Sequence, residues 1–418
     1  MRRIFVLLVI SVAFFFGGVP TAKAIVDPLT PDNNPFGIHI LDESDLEDAA
    51  KLVNSSGGNW GYVTLVIRAD ERDSKRWQSA FNKMRELHLI PIVRIATKMS
   101  EDSWEKPNLD ELDGWVSFLS ELNWVTQNRY IIIGNEPNHA KEWGGEVKPD
   151  EYAKYLETFS KKLKEGSKDF FILSAGFDAS APNGKETMSE NDFLTKMISN
   201  NPNVFENVDG WSSHSYPNPN FSGSQDDEGR GTVKTFEWEL RVLKNLGVTK
   251  TLPVFITETG WIHDKGGEKS GPKEVGEVAT RLKASYELAW NDERIVAITP
   301  FVLNYQDPPF DIFSWKRQDG NFYQFYYEVK DLPKSEGKPK QIVAVDVLTL
   351  LFPPLIPNSG WMTGIIALKN TGQSIWEGTE KIYASYHGFE IIIEPRVLFS
   401  DIKPGERTLA VIKIKLFK

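Results

Sequence analysis

The sequence predicts an α/β protein: a (β/α)8, or TIM, barrel followed by a small all-β sandwich of immunoglobulin-like kind. Three observations lead there. Between residues 36 and about 330, eight short apolar segments alternate with amphipathic ones. The polar residues suited to chemistry sit at the C-terminal ends of those apolar segments, and a barrel brings all such ends to one mouth. Beyond residue 340, Val, Ile and Thr dominate, and turn signals recur about every ten residues. A doubly wound open sheet competes for the first part. It lacks its expected signature, since no Gly-rich phosphate loop follows the first strand.

In order, residues 36–40 form the first apolar run, and 46–53 carry helical spacing up to the Ser55-Ser56-Gly57-Gly58 turn. The second strand, 62–67, ends at Arg68; an amphipathic helix at 75–87 and a third strand at 89–95, containing Arg94, follow. In the helix at 109–122, Leu112, Trp115, Val116 and Leu119 share one stripe. Residues 130–133 are β-branched or aromatic with no polar break, as a strand covered on both faces would be. Their helix spans 151–163, where Tyr152, Tyr155, Leu156, Phe159 and Leu163 recur at helical spacing. Strands at 170–174, 208–213, 253–257 and 295–301 alternate with helices at 191–199, 235–246 and 274–290. The expected organisation is a barrel at 25–330, a Pro/Lys/Gly-rich linker at 331–340 and the sandwich at 341–418.

Residues 1–24 read as a secretory signal: Arg2 and Arg3, an apolar run over 4–19, and Ala22-Lys23-Ala24 for cleavage. A secreted or extracytoplasmic protein is expected, with association with the cell envelope if the signal stays as an anchor. Of the 418 residues 40% are hydrophobic and 25% charged, as in soluble globular chains, and a monomer is expected. A net charge of −10 argues against nucleic acid as a partner. With no Cys, and six His without H-E-x-x-H spacing, neither a metal nor another cofactor is expected. The aromatic fraction of 12% suits sugar-facing surfaces and large cores alike.

The fourth apolar segment runs into Gly134, Asn135, Glu136 and Pro137, and the seventh into Glu258. A carboxylate at the end of a buried strand is costly unless it is paired or used. Two such acids on one barrel mouth are what cleavage of a glycosidic bond requires: one protonated to release the leaving oxygen, one ionised to attack or to activate water.

Asn135-Glu136-Pro137 after strand four and Thr257-Glu258-Thr259-Gly260-Trp261 on strand seven, with His214-Ser215-Tyr216 on strand six, resemble the signatures of retaining glycoside hydrolases of clan A, cellulase-like barrels of the family 5 or family 39 kind. The resemblance covers the whole barrel. It implies Glu136 as general acid/base, Glu258 as nucleophile, and Asn135 on the sugar 2-hydroxyl. It implies Tyr216 orienting Glu258, and His214 touching the sugar or the acid/base. It also implies an arginine near the nucleophile, for which Arg68 fits by strand number and Arg94 is the rival. Trp261 or Trp315 would be the aromatic platform under the sugar. The implied partner is a carbohydrate, an oligo- or polysaccharide. The segment N-Y-Q-D-P-P-F-D-I-F-S-W at 304–315 is longer than the family pattern and leaves the platform residue open.

Structural readings stand beside these. His214 would be a core histidine, His39 barrel packing or rim polarity, Arg68 and Arg94 rim ion-pair partners, Trp261 and Trp315 packing residues, and Asp226-Asp227-Glu228 a solvated run. The competing function is a catalytically silent carbohydrate-binding or cell-surface protein on the same scaffold. Against it, Asn135, Glu136 and Glu258 are all present. Transglycosylation by the same site is a third reading. The loops at 138–147, 218–232, 263–272 and 304–315 are long enough to wall a cleft. In the C-terminal part, Asn370-Thr371-Gly372, Trp376 and Pro404-Gly405-Glu406 resemble bacterial immunoglobulin-like modules, often spacers or surface adaptors.

Overall fold

The computed structural model describes residues 25–30, 32–100, 102–265, 273–351, 361–377, 382–386, 389–394 and 401–416. The expected signal at 1–24 and part of the loop at 263–272 lie outside them. Two compact units divide between Lys340 and Gln341.

The first unit is built on parallel strands. They are β1 (Gly37–His39), β2 (Gly61–Arg68), β3 (Leu89–Ala96), β4 (Arg129–Ile133), β5 (Phe170–Ser174), β6 (Trp211–His214), β7 (Val254–Glu258) and β8 (Ile295–Ile298). β1 to β5 pair in sequence order as one sheet, and β6, β7 and β8 as another. Single parallel bridges, Leu173 to Gly210 and Phe36 to Ile298, join the two sheets. Helices α1 (Leu46–Val53), α2 (Ser74–Glu86), α3 (Leu112–Glu121), α4 (Pro149–Gly166), α5 (Glu190–Asn200), α6 (Thr235–Asn245), α7 (Val275–Ala284) and α8 (Gln324–Asp331) supply the crossovers and the closing element.

Period-2 alternation explains how the strands fill both sides. Tyr62, Ile90, Ile92, Tyr130, Ile132, Phe171, Leu173, Phe255 and Val296 form one buried cluster. Their neighbours Val63, Ile131, Ile133 and Ile172 join the larger cluster with the helices. This two-sided burial is why the strands read as unbroken apolar runs.

Several boundaries move for local reasons. The sixth strand starts at Trp211 instead of residue 208, because the Asp209 carboxylate accepts the Ile172 N–H at 2.8 Å. The helix expected over 274–290 is α7 followed by a π-turn, Ser285–Ala289. The segment expected to be a linker at 331–340 is instead tied to the first unit. Lys334 Nζ donates to the carbonyls of Val329, Lys330 and Leu332 at the end of α8. Gly337 N donates to Asn59 O, Lys338 N to Asp32 O, and Gln127 N to Lys340 O.

The second unit holds β9 (Val345–Leu351), β10 (Trp361–Asn370), β11 (Ile382–Tyr386), β12 (Phe389–Glu394) and β13 (Arg407–Leu416). Its described residues make one antiparallel sheet of order β9-β10-β13-β12-β11; the facing sheet that a sandwich requires is not among them. Asn370, fully buried, knots the end of β10: its Nδ2 donates to Ser374 O and Ile402 O, and its Oδ1 accepts from Gly372 N. The N-T-G signature is therefore a turn-locking device here.

One polar pair lies in the core of the first unit. Glu190 opens α5 and Glu239 lies in α6, and both are fully buried. Glu239 Oε2 accepts the Trp211 indole N–H at 2.8 Å. Burial pushes both carboxyls up, Glu239 to about 7, and the charge of Glu239 pushes Glu190 further. Two carboxylates can only accept, so a bond between them needs a proton. Both folded values lie above the ordinary 4.5, so the folded state binds the extra protons. Stability from the pair is complete in acid and is lost as pH rises through neutrality. The melting temperature is expected to fall between about pH 5 and about pH 8, and Glu190→Gln is expected to flatten that slope. Thermal melts over this range check it; an unchanged slope would refute the assignment.

Candidate active site

β4 ends at Ile133, and the backbone then turns through Gly134 at φ +91° and Glu136 at φ +31°. The second value lies in the left-handed region that costs a residue with a side chain about 1–3 kcal/mol. The turn holds because Glu136 N donates to Gly176 O at 2.9 Å and His139 N to Glu136 O at 2.8 Å. Glu258 closes β7 and is 9% exposed. His214 closes β6 between the two acids: its Nδ1 is 2.8 Å from Glu136 Oε1 and 3.8 Å from Glu258 Oε2. One oxygen of each glutamate and a ring nitrogen of His214 lie within 4.8 Å of one another. The Tyr216 hydroxyl donates to Glu258 Oε2 at 3.1 Å, and Arg94 Nη1 stands 3.8 Å from Glu258 Oε1. Gly176 keeps the imidazole in place by having no side chain, since a Cβ there would lie 2.2 Å from His214 Cδ2.

The electrostatics follow from these contacts. Burial alone would lower the His214 imidazole, but the Glu258 and Glu136 carboxylates raise it to about 9. Burial would raise the Glu258 carboxyl, yet His214, Arg94 and the Tyr216 hydroxyl together hold it below its ordinary value. Burial, and then the charge of Glu258, push the Tyr216 phenol well up, so it remains a donor. Glu258 is thus kept ionised, with a protonated imidazole between it and Glu136. Two carboxylates and an imidazole are also a possible ligand set for a divalent cation, but a metal would first have to displace the His214 proton.

Sequence position and spatial position agree for Asn135, Glu136, His214, Tyr216, Glu258 and Arg94, which the fold gathers at the ends of β3, β4, β6 and β7 and just beyond them. Three expectations are corrected. Arg68 pairs with Asp70 and Glu71 at 3.1 and 3.3 Å, with its side chain 37% exposed. Its register partner is Ala96, whereas Val66 is the one level with Arg94, so Arg68 stands too high on the rim. Trp261 is 2% exposed and donates its indole N–H to Gly223 O. Trp315 is 2% exposed with its ring edge-on to Phe325. Neither tryptophan offers a face to a sugar. The less buried rings around Tyr216 belong to Phe221, Phe301 and Tyr305.

Other residues at the site escaped the sequence reading. Glu142 is raised to about 7 by burial, against the pull of Arg94 and of the Asn135 side chain. With Arg94 and Asn135 it lines a cavity of about 20 Å3, room for one water. Asn135 Oδ1 and Arg94 Nε are buried there without protein partners. His39, expected to be a packing or rim residue, is fully buried with neither ring nitrogen bonded, and burial holds it neutral at about 3. Its charge interactions are with Glu258, Arg94 and His214. His139 is visible as the residue after N-E-P-N, but nothing in the sequence pairs it with Asp178, which it bonds at 2.8 Å.

By NMR titration, His214 is expected to stay protonated through neutrality and to titrate near 9. Glu136→Gln is expected to lower that value by removing a negative neighbour. A wild-type value at or below that of a free imidazole would contradict the arrangement.

No protein-family profile matches the sequence, and no curated protein sequence matches it. Among solved structures, a monomeric β-xylosidase from Caulobacter crescentus CB15 is similar at 10% identity and TM-score 0.49, over 95% of this chain and 98% of that one. AbfB, a family 51 α-L-arabinofuranosidase from Bifidobacterium longum, is similar at 10% identity and TM-score 0.49, over 94% and 98%. GH5_18 from Streptomyces cattleya is similar at 13% identity and TM-score 0.49, over 73% and 80%. At such identities and scores, neither substrate nor mechanism transfers to this chain.

Proposed function

We propose that this chain is an exported glycoside hydrolase that cleaves β-linked glycosides or polysaccharides with retention of configuration, on a (β/α)8 barrel. The observation that carries the reading is the pair of glutamates on β4 and β7, each with an oxygen within 4.8 Å of the other's and His214 between them. Inversion needs about 6.5–9.5 Å between the carboxyls to admit a water, while retention needs about 5–5.5 Å. That gap, measured between facing oxygens, together with the N-E-P and E-T-G-W signatures, favours retention. The N-terminal composition supports export.

Glu258, kept ionised by His214 and Arg94, attacks the anomeric carbon as Glu136 gives its proton to the glycosidic oxygen. The C1–O bond breaks, the leaving group departs as an alcohol, and a glycosyl ester forms on Glu258. Glu136, now a carboxylate, takes a proton from water as the water oxygen attacks the same carbon. The ester breaks, the sugar leaves, and both glutamates return to their starting states. Asn135 meets the 2-hydroxyl in this reading, and Tyr216 holds the attacking carboxylate. His214 lets Glu258 stay ionised next to a second acid, because the imidazolium offsets the charge of the Glu258 carboxylate.

On a panel of β-linked polysaccharides and aryl β-glycosides, Glu258→Ala is expected to abolish turnover. Glu136→Gln is expected to lose on the order of 10²- to 10⁴-fold on oligosaccharides and less on aryl glycosides, whose leaving group needs little protonation. NMR of the first-formed product is expected to show retained anomeric configuration. An inverted product, or an active Glu258→Ala protein, would overturn the mechanism.

A further inference from the structure

The loops that follow β4 and β5 carry a second polar pair beside Glu136. His139 Nε2 donates to Asp178 Oδ2 at 2.8 Å, and the two side chains are 30% and 29% exposed. Asp178 Oδ1 accepts from Ser180 N at 2.8 Å. Each carboxylate oxygen accepts two bonds, so one site on each remains. His139 Nδ1 has no bond among the described residues. With Nε2–H given to Asp178, Nδ1 of the neutral ring is an acceptor, so the pair presents an imidazole acceptor and spare carboxylate acceptors side by side.

Its position is fixed from behind. Asn138, fully buried, donates through Nδ2 to Asp178 O at 2.9 Å and Met188 O at 3.1 Å. Met188 N returns a bond to Asn138 O, Ala140 N bonds Glu186 O, and His139 bridges Thr187. Three stretches of chain are thereby locked together, as a preorganised binding surface needs.

The neighbours show which side of the bond it faces. His139 N donates to Glu136 O at 2.8 Å, and Asp178 makes a parallel bridge with His214, which bonds Glu136. The flank of Glu258 is taken by Arg94, Tyr216 and His39. The acid stands next to the glycosidic oxygen and the nucleophile next to the anomeric carbon. A group beside the acid and away from the nucleophile therefore meets the leaving group.

We propose that His139 and Asp178 form the leaving-group subsite, taking a neutral sugar residue through two neighbouring hydroxyls, one donating to His139 Nδ1 and one donating to Asp178. This rests on the hydrolase reading above. The carboxylate of Asp178 disfavours an acidic sugar there.

The test compares kcat/KM of the wild type and Asp178→Asn on an aryl β-glycoside and on the unsubstituted oligosaccharide of the same sugar. Losing a hydrogen bond to a charged group costs about tenfold or more, and that loss is expected in the ratio of oligosaccharide to aryl rates, at an unchanged melting temperature. His139→Gln is expected to move the ratio the same way. An unchanged ratio overturns the subsite. An equal loss on both substrates also overturns it, because the pair would then be supporting Glu136. If the wild type turns over neither substrate, the hydrolase reading fails by itself. Calorimetric binding of the oligosaccharide to the wild type and Asp178→Asn then decides the subsite, and equal affinities overturn it.

Discussion

The site depends on one imidazole set between two carboxylates. His214 is fully enclosed at the end of β6, with Glu136 on one side and Glu258 on the other. Without a cation there, the buried Glu258 carboxyl would be pushed towards its protonated form, since its burial raises it and His214 and Arg94 are what bring it down. The imidazole must be wedged tightly, and the chain arranges this with a glycine at residue 176 against the ring face and a strained turn at Glu136. Neither feature helps the fold. Both make sense once the charge arrangement is taken as the thing being protected.

The same pattern of buried polarity runs outward. Arg94 stands 3.8 Å from Glu258 on one side and on the other shares the lining of a small cavity with Glu142 and Asn135. A charged guanidinium in a mostly buried setting requires acidic company, and here it has company on two sides. The unbonded ring of His39 and the free atoms around the small cavity are unfinished groups in a core where most polar atoms are satisfied. They lie where a hydroxylated ligand or a water would complete them.

What the sequence made legible was whatever depends on burial along a strand. Glu136 and Glu258 stood out because the residues before them are unbroken apolar runs, and such runs are written locally. Arg68 and Arg94 could not be told apart that way. Which of them reaches Glu258 depends on register between β2 and β3, a property of two strands at once. Trp261 and Trp315 look the same in sequence whether they line a cleft or fill a core; burial by distant segments decided the matter. Glu142, His139 and Asp178 come from loops, where no periodicity marks which side chains converge. The C-terminal signature was legible as a pattern, and Asn370 shows its local purpose, but the sandwich inferred from it lies beyond what the described sheet contains.

The residues between α8 and Gln341 look dispensable by composition, being rich in proline, lysine and glycine. In the fold they behave as a hem. Lys334 gathers carbonyls at the end of α8, and the stretch after it stitches to segments near residues 32, 59 and 127, far apart in the chain. A fragment ending at residue 330 and one ending at residue 340 are therefore different molecules. The first leaves a frayed helix end and unmatched backbone groups, the carbonyls of Asp32, Ser56 and Asn59 and the N–H of Gln127; the second keeps its seam closed.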